Sequence, residues 1–161
     1  MLVVQGNLAS TYWRLGRDEQ SLSIRRDVYF GRMRLHGDEH QETLREASNC
    51  AISLIGLNRI KEAKAMLCKT MPVARRVLED SHDLTLKMRL NYAATLFNAD
   101  GATLDDVREA VTMLEETART ARRVFGIGGH PSVVGIEDTL RQSREVLRAH
   151  ETPQAWGPVG A

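Results

Sequence analysis

Apolar residues recur along this chain at helical spacing. Ala63, Met66, Leu67, Thr70, Ala74 and Val77 share one face of a helix, as do Val107, Val111, Leu114, Ala118 and Ala121. No stretch alternates with a period of two, and none carries hairpin-turn chemistry. The pattern predicts helices over residues 3–15, 18–35, 44–57, 60–79, 86–98, 104–124 and 132–149. Gly16 and Asn58 stand where a helix would end through a left-handed residue. Thr103 stands where its hydroxyl can cap the helix that follows. Pro72 falls inside a helix, deletes the bond to the Cys68 carbonyl and predicts a kink.

The helices come in pairs, and the pairs repeat. Asn7-Leu8-Ala9, Asn49-Cys50-Ala51 and Asn91-Tyr92-Ala93 are spaced 42 and 42 residues apart. Leu15-Gly16-Arg17 recurs as Leu57-Asn58-Arg59, and His40-x-x-Thr43-Leu44 as His82-x-x-Thr85-Leu86. A third copy of the latter, His130-Pro131-Ser132-Val133-Val134, comes 48 residues on. The extra six residues fall in the turns around Asn98–Ala102 and Gly126–Gly129, the places where a stack of repeats tolerates insertion. The expected fold is therefore all-α: a right-handed α-solenoid over residues 1–150. It has about three helix–turn–helix repeats (3–43, 44–85 and 86–133) and a C-terminal capping helix (132–149).

A stack of this kind exposes apolar faces at both ends. The last helix carries Glu137, Asp138, Arg141, Arg144, Glu145 and Arg148, and reads as a lid with a wet outer face. The first repeat begins almost at Met1 and has no such lid, which predicts further repeats at that end or a homodimer that covers it. Residues 151–161, with Pro153, Gly157, Pro158 and Gly160, read as a disordered tail in which Trp156 is a tail residue or part of a short linear motif.

Composition narrows the partners. Hydrophobic residues make up 42% and charged residues 27%, ordinary for a folded soluble domain. Lys and Arg number 22 against 21 Asp and Glu, so no overall field favours nucleic acid or an anionic membrane. The apolar runs are too short to span a bilayer, and residues 1–7 lack the features of a secretory signal. Two cysteines, Cys50 and Cys68, are too few for a disulfide framework or a zinc site, and fit a reducing cytoplasm.

Leu8-Ala9-x-x-Tyr12, Ala63-x3-Leu67 and Ala110-x3-Leu114 resemble the small/large core signature of a tetratricopeptide unit. The 42-residue period, with Leu35-His36-Gly37-Asp38-Glu39-His40-Gln41-Glu42-Thr43-Leu44 at the turn, resembles the kinesin light chain type of that repeat. The resemblance covers about residues 3–150. Gln41 and Asp83 replace the family's proline, which returns at Pro131, and no heptad coiled coil is present. It implies a protein-interaction scaffold and not a motor subunit.

The first helix of each pair should line the concave side. Along it, positions i, i+4, i+7 and i+11 share a face. They read Val3, Asn7, Ser10, Arg14 in the first repeat, Arg45, Asn49, Ile52, Gly56 in the second and Lys87, Asn91, Ala94, Asn98 in the third. The resemblance implies that the Asn row bonds a ligand's backbone amide and that Arg45 and Lys87 hold a carboxylate. The expected peptide-binding set is Asn7, Ser10, Arg14, Arg45, Asn49, Lys87, Asn91 and Asn98. No acid stands on these positions, so an extended acidic or C-terminal segment is the expected ligand. Two other readings stay open. The Asn residues can tie adjacent repeats together, and the array can be a structural segment that self-associates without a free peptide ligand.

The remaining residues of interest read as structural. His40, His82 and His130 recur at turns roughly 10 Å apart in a stack, too far to share a metal, and are expected to cap or brace helices. No nucleophile, base and orienting group come into phase, so no enzyme, cofactor or metal is expected. Cys50 takes a core slot, and Cys68 is expected to be partly exposed. Gly126-Ile127-Gly128-Gly129 reads as a loop. Arg25-Arg26, Arg75-Arg76 and Arg122-Arg123 form an expected convex basic strip. RNA binding there is disfavoured by the net charge and the few aromatic residues.

Overall fold

The computed structural model describes residues 2–127 and 129–152. Its helices are α1 (Leu2–Arg14), α2 (Asp18–His36), α3 (Gln41–Gly56), α4 (Ile60–Leu78), α5 (Asp83–Phe97), α6 (Leu104–Phe125) and α7 (Pro131–Glu151). Among the described residues no strand occurs. Each helix packs on the next; in addition α3 packs on α5 and α5 on α7, while the second helices α2, α4 and α6 stay farther apart. That asymmetry puts the first helices on the inner side of the curve. Of the expected tail, Glu151 belongs to α7 and Thr152 is its C-cap; residues 153–161, including Trp156, and Gly128 in the glycine loop lie outside the described residues.

Close approach within each pair rests on small residues. Ala9, Ala51 and Ala93 on the first helices are fully buried, as are Ser21, Ala63 and Ala110 on the second. Where α1 crosses α2, small meets small: the Ser21 hydroxyl donates to the Ala9 carbonyl at 2.7 Å. Around each crossing the large side chains interdigitate. Leu44, Ala51, Leu67, Ala74, Leu84 and Met88 form one cluster across α3, α4 and α5. Leu86, Leu96, Val107, Leu114, Ile136 and Leu140 belong to another across α5, α6 and α7. Two smaller clusters, Leu22, Leu54 and Ala63 in one and Tyr29, Ala47 and Cys50 in the other, lie in the earlier repeats.

The helix starts differ from the sequence-based bounds. α3 and α5 begin at Gln41 and Asp83, three residues earlier than expected. The recurrent histidines explain it. The imidazole Nδ1 of His40 accepts from Glu42 N at 3.2 Å, that of His82 from Leu84 N at 3.1 Å, and that of His130 from Ser132 N at 3.3 Å. Each ring satisfies one orphan donor at its helix N-terminus. Thr103 caps α6 as expected, in a capping box with Asp106. Gly16 and Asn58 do adopt the left-handed conformation, at φ 68° and 57°. α4 runs unbroken through Pro72.

Ala51→Leu or Ala93→Leu should destabilise the fold by about 1–3 kcal/mol through overpacking at the crossing, read as a lower melting temperature. His82→Ala should cost about 1 kcal/mol through the lost cap, read from chemical denaturation with the slope unchanged.

Candidate functional site

The inner face contains a pocket of about 250 Å³ between α1, α2 and α3. Its lining includes Asn7 and Ser10 from α1, and Arg45 and Asn49 from α3. Four of the eight residues expected on the groove thus come together. Lys87 and Asn91 stand one repeat further along, on α5. Arg14 ends α1 and Asn98 forms the C-cap of α5, both exposed and both outside this pocket. In the second repeat the corresponding position is Gly56, and the Trp13 ring lies directly over it, closer than a Cβ would allow.

The electrostatics are richer than the phased positions imply. Arg25 and Arg32 of α2, with Glu42 and Glu46 of α3, also line the pocket. The expectation of Arg25 on a convex strip is not met. Its guanidinium reaches inward, donates to Ser10 Oγ at 3.2 Å and stands 3.9 Å from Glu46. Glu42 bridges two arginines, at 2.9 Å from Arg45 and 3.4 Å from Arg32. Asn49 Nδ2 donates to Glu46 at 3.4 Å, and Asn91 Nδ2 donates to Ser48 Oγ at 3.3 Å. Arg25 Nε, Arg32 Nε and Glu46 Oε2 are buried without a hydrogen-bond partner in the protein.

Lys87 is paired as well, with Asp83 at 2.6 Å. Burial opposes ionisation of Asp83, yet the Lys87 ammonium and the Ser132 hydroxyl hold its carboxyl below the usual carboxylate range. The Asp83–Ser132 bond also fastens the start of α5 to the start of α7. Spacing alone marks the pairs Glu42–Arg45 (i,i+3) and Asp83–Lys87 (i,i+4). Arg25 and Arg32 are seven apart on one helix face, and that spacing is the signal that separates Arg25 from the convex strip.

Of the other five strip arginines, four are ion-paired and Arg123 has no acidic partner among the described residues. Arg26 pairs with Glu62 at 2.8 Å, Arg75 with Asp80 at 2.6 Å, Arg76 with Glu39 at 2.7 Å and Arg122 with Glu137 at 2.7 Å. Among the described residues, no three His, Cys, Asp or Glu side chains gather as a metal site would require. No described helix is long and apolar enough to cross a membrane. Cys50 is fully buried and burial pushes its thiol up to about 12, whereas Cys68 is exposed.

Comparison with known proteins agrees with this architecture. Residues 102–132 match the family model described as Tetratricopeptide repeat. The chain superposes on nearly identical TPR-like repeats of a Podosopora anserina kinesin light chain protein. That match has a TM-score of 0.68 and 19% identity, and spans 92% of this chain and 67% of that one. A variant of the same protein gives a TM-score of 0.67 at 19% identity, over 92% and 72% of the two chains. BtubC (BKLC) from P. vanneervenii gives 0.68 at 13% identity, over 99% and 70%. No curated protein sequence matches. The fold is that of a tetratricopeptide array, and the arrays it resembles are of the kinesin light chain type. Repeats of this class generally mediate protein–protein interaction.

The contrast between the two thiols is measurable. Native protein should react with a disulfide reagent rapidly at Cys68, with Cys50 joining only on unfolding. Two fast thiols in native protein would show that the slot beneath Tyr29 and Met33 is open.

Proposed function

We propose that the inner face of the first helices holds an extended, acidic peptide segment of a partner protein, in the cytoplasm. The observation that carries this reading is the convergence of Asn7, Ser10, Arg45 and Asn49 with Arg25 and Arg32 on one pocket. Its lining holds three arginines against two glutamates. A primary amide both donates and accepts, so the Asn residues suit a peptide backbone without reading its side chains. Lys87 and Asn91 extend the same face to the third repeat, with Arg14 and Asn98 at its margin.

The internal ion pairs do not oppose this. Arg45–Glu42 and Lys87–Asp83 are half exposed, and such pairs contribute about 0–1 kcal/mol. A ligand carboxylate held in place by backbone contacts forms charge-assisted bonds of roughly 1.5–3 kcal/mol. It can therefore take the bases from Glu42 and Asp83 at small cost. No step of this reading calls for a catalytic group, metal or cofactor.

A second reading has its own observation. The Asn91 amide is engaged with Ser48 across the repeat boundary, as a tie between repeats would be. On that reading the array is a structural segment that self-associates and has no free peptide ligand.

Fluorescence anisotropy with a pool of acidic peptides separates the two. Asn49→Ala should weaken binding about fivefold, the equivalent of about 1 kcal/mol for one hydrogen bond. Arg45→Gln should do so only for acidic members, and salt should weaken wild-type binding. Equal affinity of wild type and both variants would leave the tie between repeats as the role of these amides.

A further inference from the structure

The repeat register lets one boundary between repeats be compared with the next. Between the first and second repeats, Tyr29 and Met33 of α2, Ala47 and Cys50 of α3 and Met66 of α4 pack as one cluster. One turn before Met66, Glu62 is held by two arginines, Arg59 at 2.6 Å and Arg26 of α2 at 2.8 Å. Between the second and third repeats, the places of Tyr29, Met33 and Ala47 are taken, 42 residues on, by Met71, Arg75 and Arg89. There the space is not filled. A cavity of about 490 Å³ lies between α4, α5 and α6, and its lining includes these three residues with Glu109, Met113 and Glu116.

The charges change together with the volume. α4 and α6 align through Ala63 and Ala110, so Glu109 stands in the place of Glu62 and Met113 in that of Met66. The two arginines that hold Glu62 have no counterpart here. Cys68 stands in the place of Arg26, and Asp106 in the place of Arg59. Cys68 is exposed and carries no charge to offer, and Asp106 is engaged in the helix cap, accepting from Thr103 N at 3.0 Å. The other charges of the cavity are matched, Arg75 with Asp80 at 2.6 Å and Arg89 with Glu116 at 3.0 Å. Glu109 is exposed and forms no ion pair among the described residues. One boundary therefore supplies both an apolar filling and a guanidinium from within the chain, and the next lacks both at the same place.

We propose that this cavity receives an arginine side chain from a partner protein. The internal Arg26–Glu62 pair fixes the chemistry of the head group: a guanidinium that bonds Glu109 as Arg26 bonds Glu62. Met71 and Met113 fix that of the stem. Their thioether side chains adapt to the shape of an occupant, and an arginine lays its aliphatic carbons along such a surface while its charged end stays at the rim. The lining carries two arginines against three acids, Asp80, Glu109 and Glu116, so the charge left over is negative and attracts a cation. An anion finds no free base there, because Arg75 and Arg89 are both paired. The cavity lies between interior repeats and shares no lining residue with the inner pocket, so it stands apart from the peptide reading.

The test uses the full chain with isotope-labelled methionine methyl groups, and Nα-acetylarginine methylamide as the probe. The Met71 and Met113 methyl resonances should shift together with a dissociation constant in the millimolar range, the order open to a ligand of this size. Met33, in the filled boundary, should stay still. Glu109→Gln should weaken the probe about fivefold or more at an unchanged melting temperature. Cys68→Arg, which restores the missing arginine within the chain, should abolish both shifts. The lysine analogue should bind more weakly, since it lacks the planar fork. Four results would overturn the proposal: no shift of either methyl at tens of millimolar probe, equal affinity of Glu109→Gln, undiminished shifts in Cys68→Arg, or binding of the lysine or glutamate analogue at least as tight. Tight binding of the glutamate analogue would make Arg75 and Arg89 the recognising groups instead.

Discussion

The structure depends on how closely two helices can approach at one point in each pair. Ala9, Ala51 and Ala93 on the first helices and Ser21, Ala63 and Ala110 on the second keep that approach close, and all six are fully buried. A larger side chain at any of them would push the axes apart and pull Leu54, Leu67, Leu96 and Leu114 out of contact. Because interiors are packed to crystal-like density, such a displacement is not absorbed locally. α3 in turn packs on α5 and α5 on α7, while Asn7 and Asn49 reach one pocket between α1, α2 and α3.

Much of this is legible without coordinates. The 42-residue period, the small residues at the crossings, the left-handed Gly16 and Asn58 and the Thr103 cap all follow from local chemistry. The Cys50 slot can be read because its counterparts, Leu8 and Tyr92, are apolar. What cannot be read is what depends on neighbouring repeats. Arg25 and Arg32 reach the pocket from α2, and Glu46 is buried beneath them; no count along α1 or α3 reveals that. The histidines recur visibly, yet their ability to begin α3 and α5 three residues early depends on ring geometry that spacing does not encode.

The two ends of the array show how one scaffold can carry different surface chemistries. α7 keeps the apolar stripe that its predecessor covers and carries exposed Arg141 and Arg144 beside it. On α1, Val4, Leu8 and Leu15 form an exposed apolar row. Exposed apolar residues set singly on a surface are ordinary, but a row at helix spacing is a contiguous surface patch.

The pairing of four strip arginines, together with a formal net charge of +1, has a kinetic side. With Arg26, Arg75, Arg76 and Arg122 each held by an acid within a few ångströms, the molecule projects little long-range potential. Encounter with a protein partner should then proceed without steering, at about 10⁵–10⁶ M⁻¹s⁻¹. Discrimination between partners would reside in how long each stays bound, that is, in the dissociation rate.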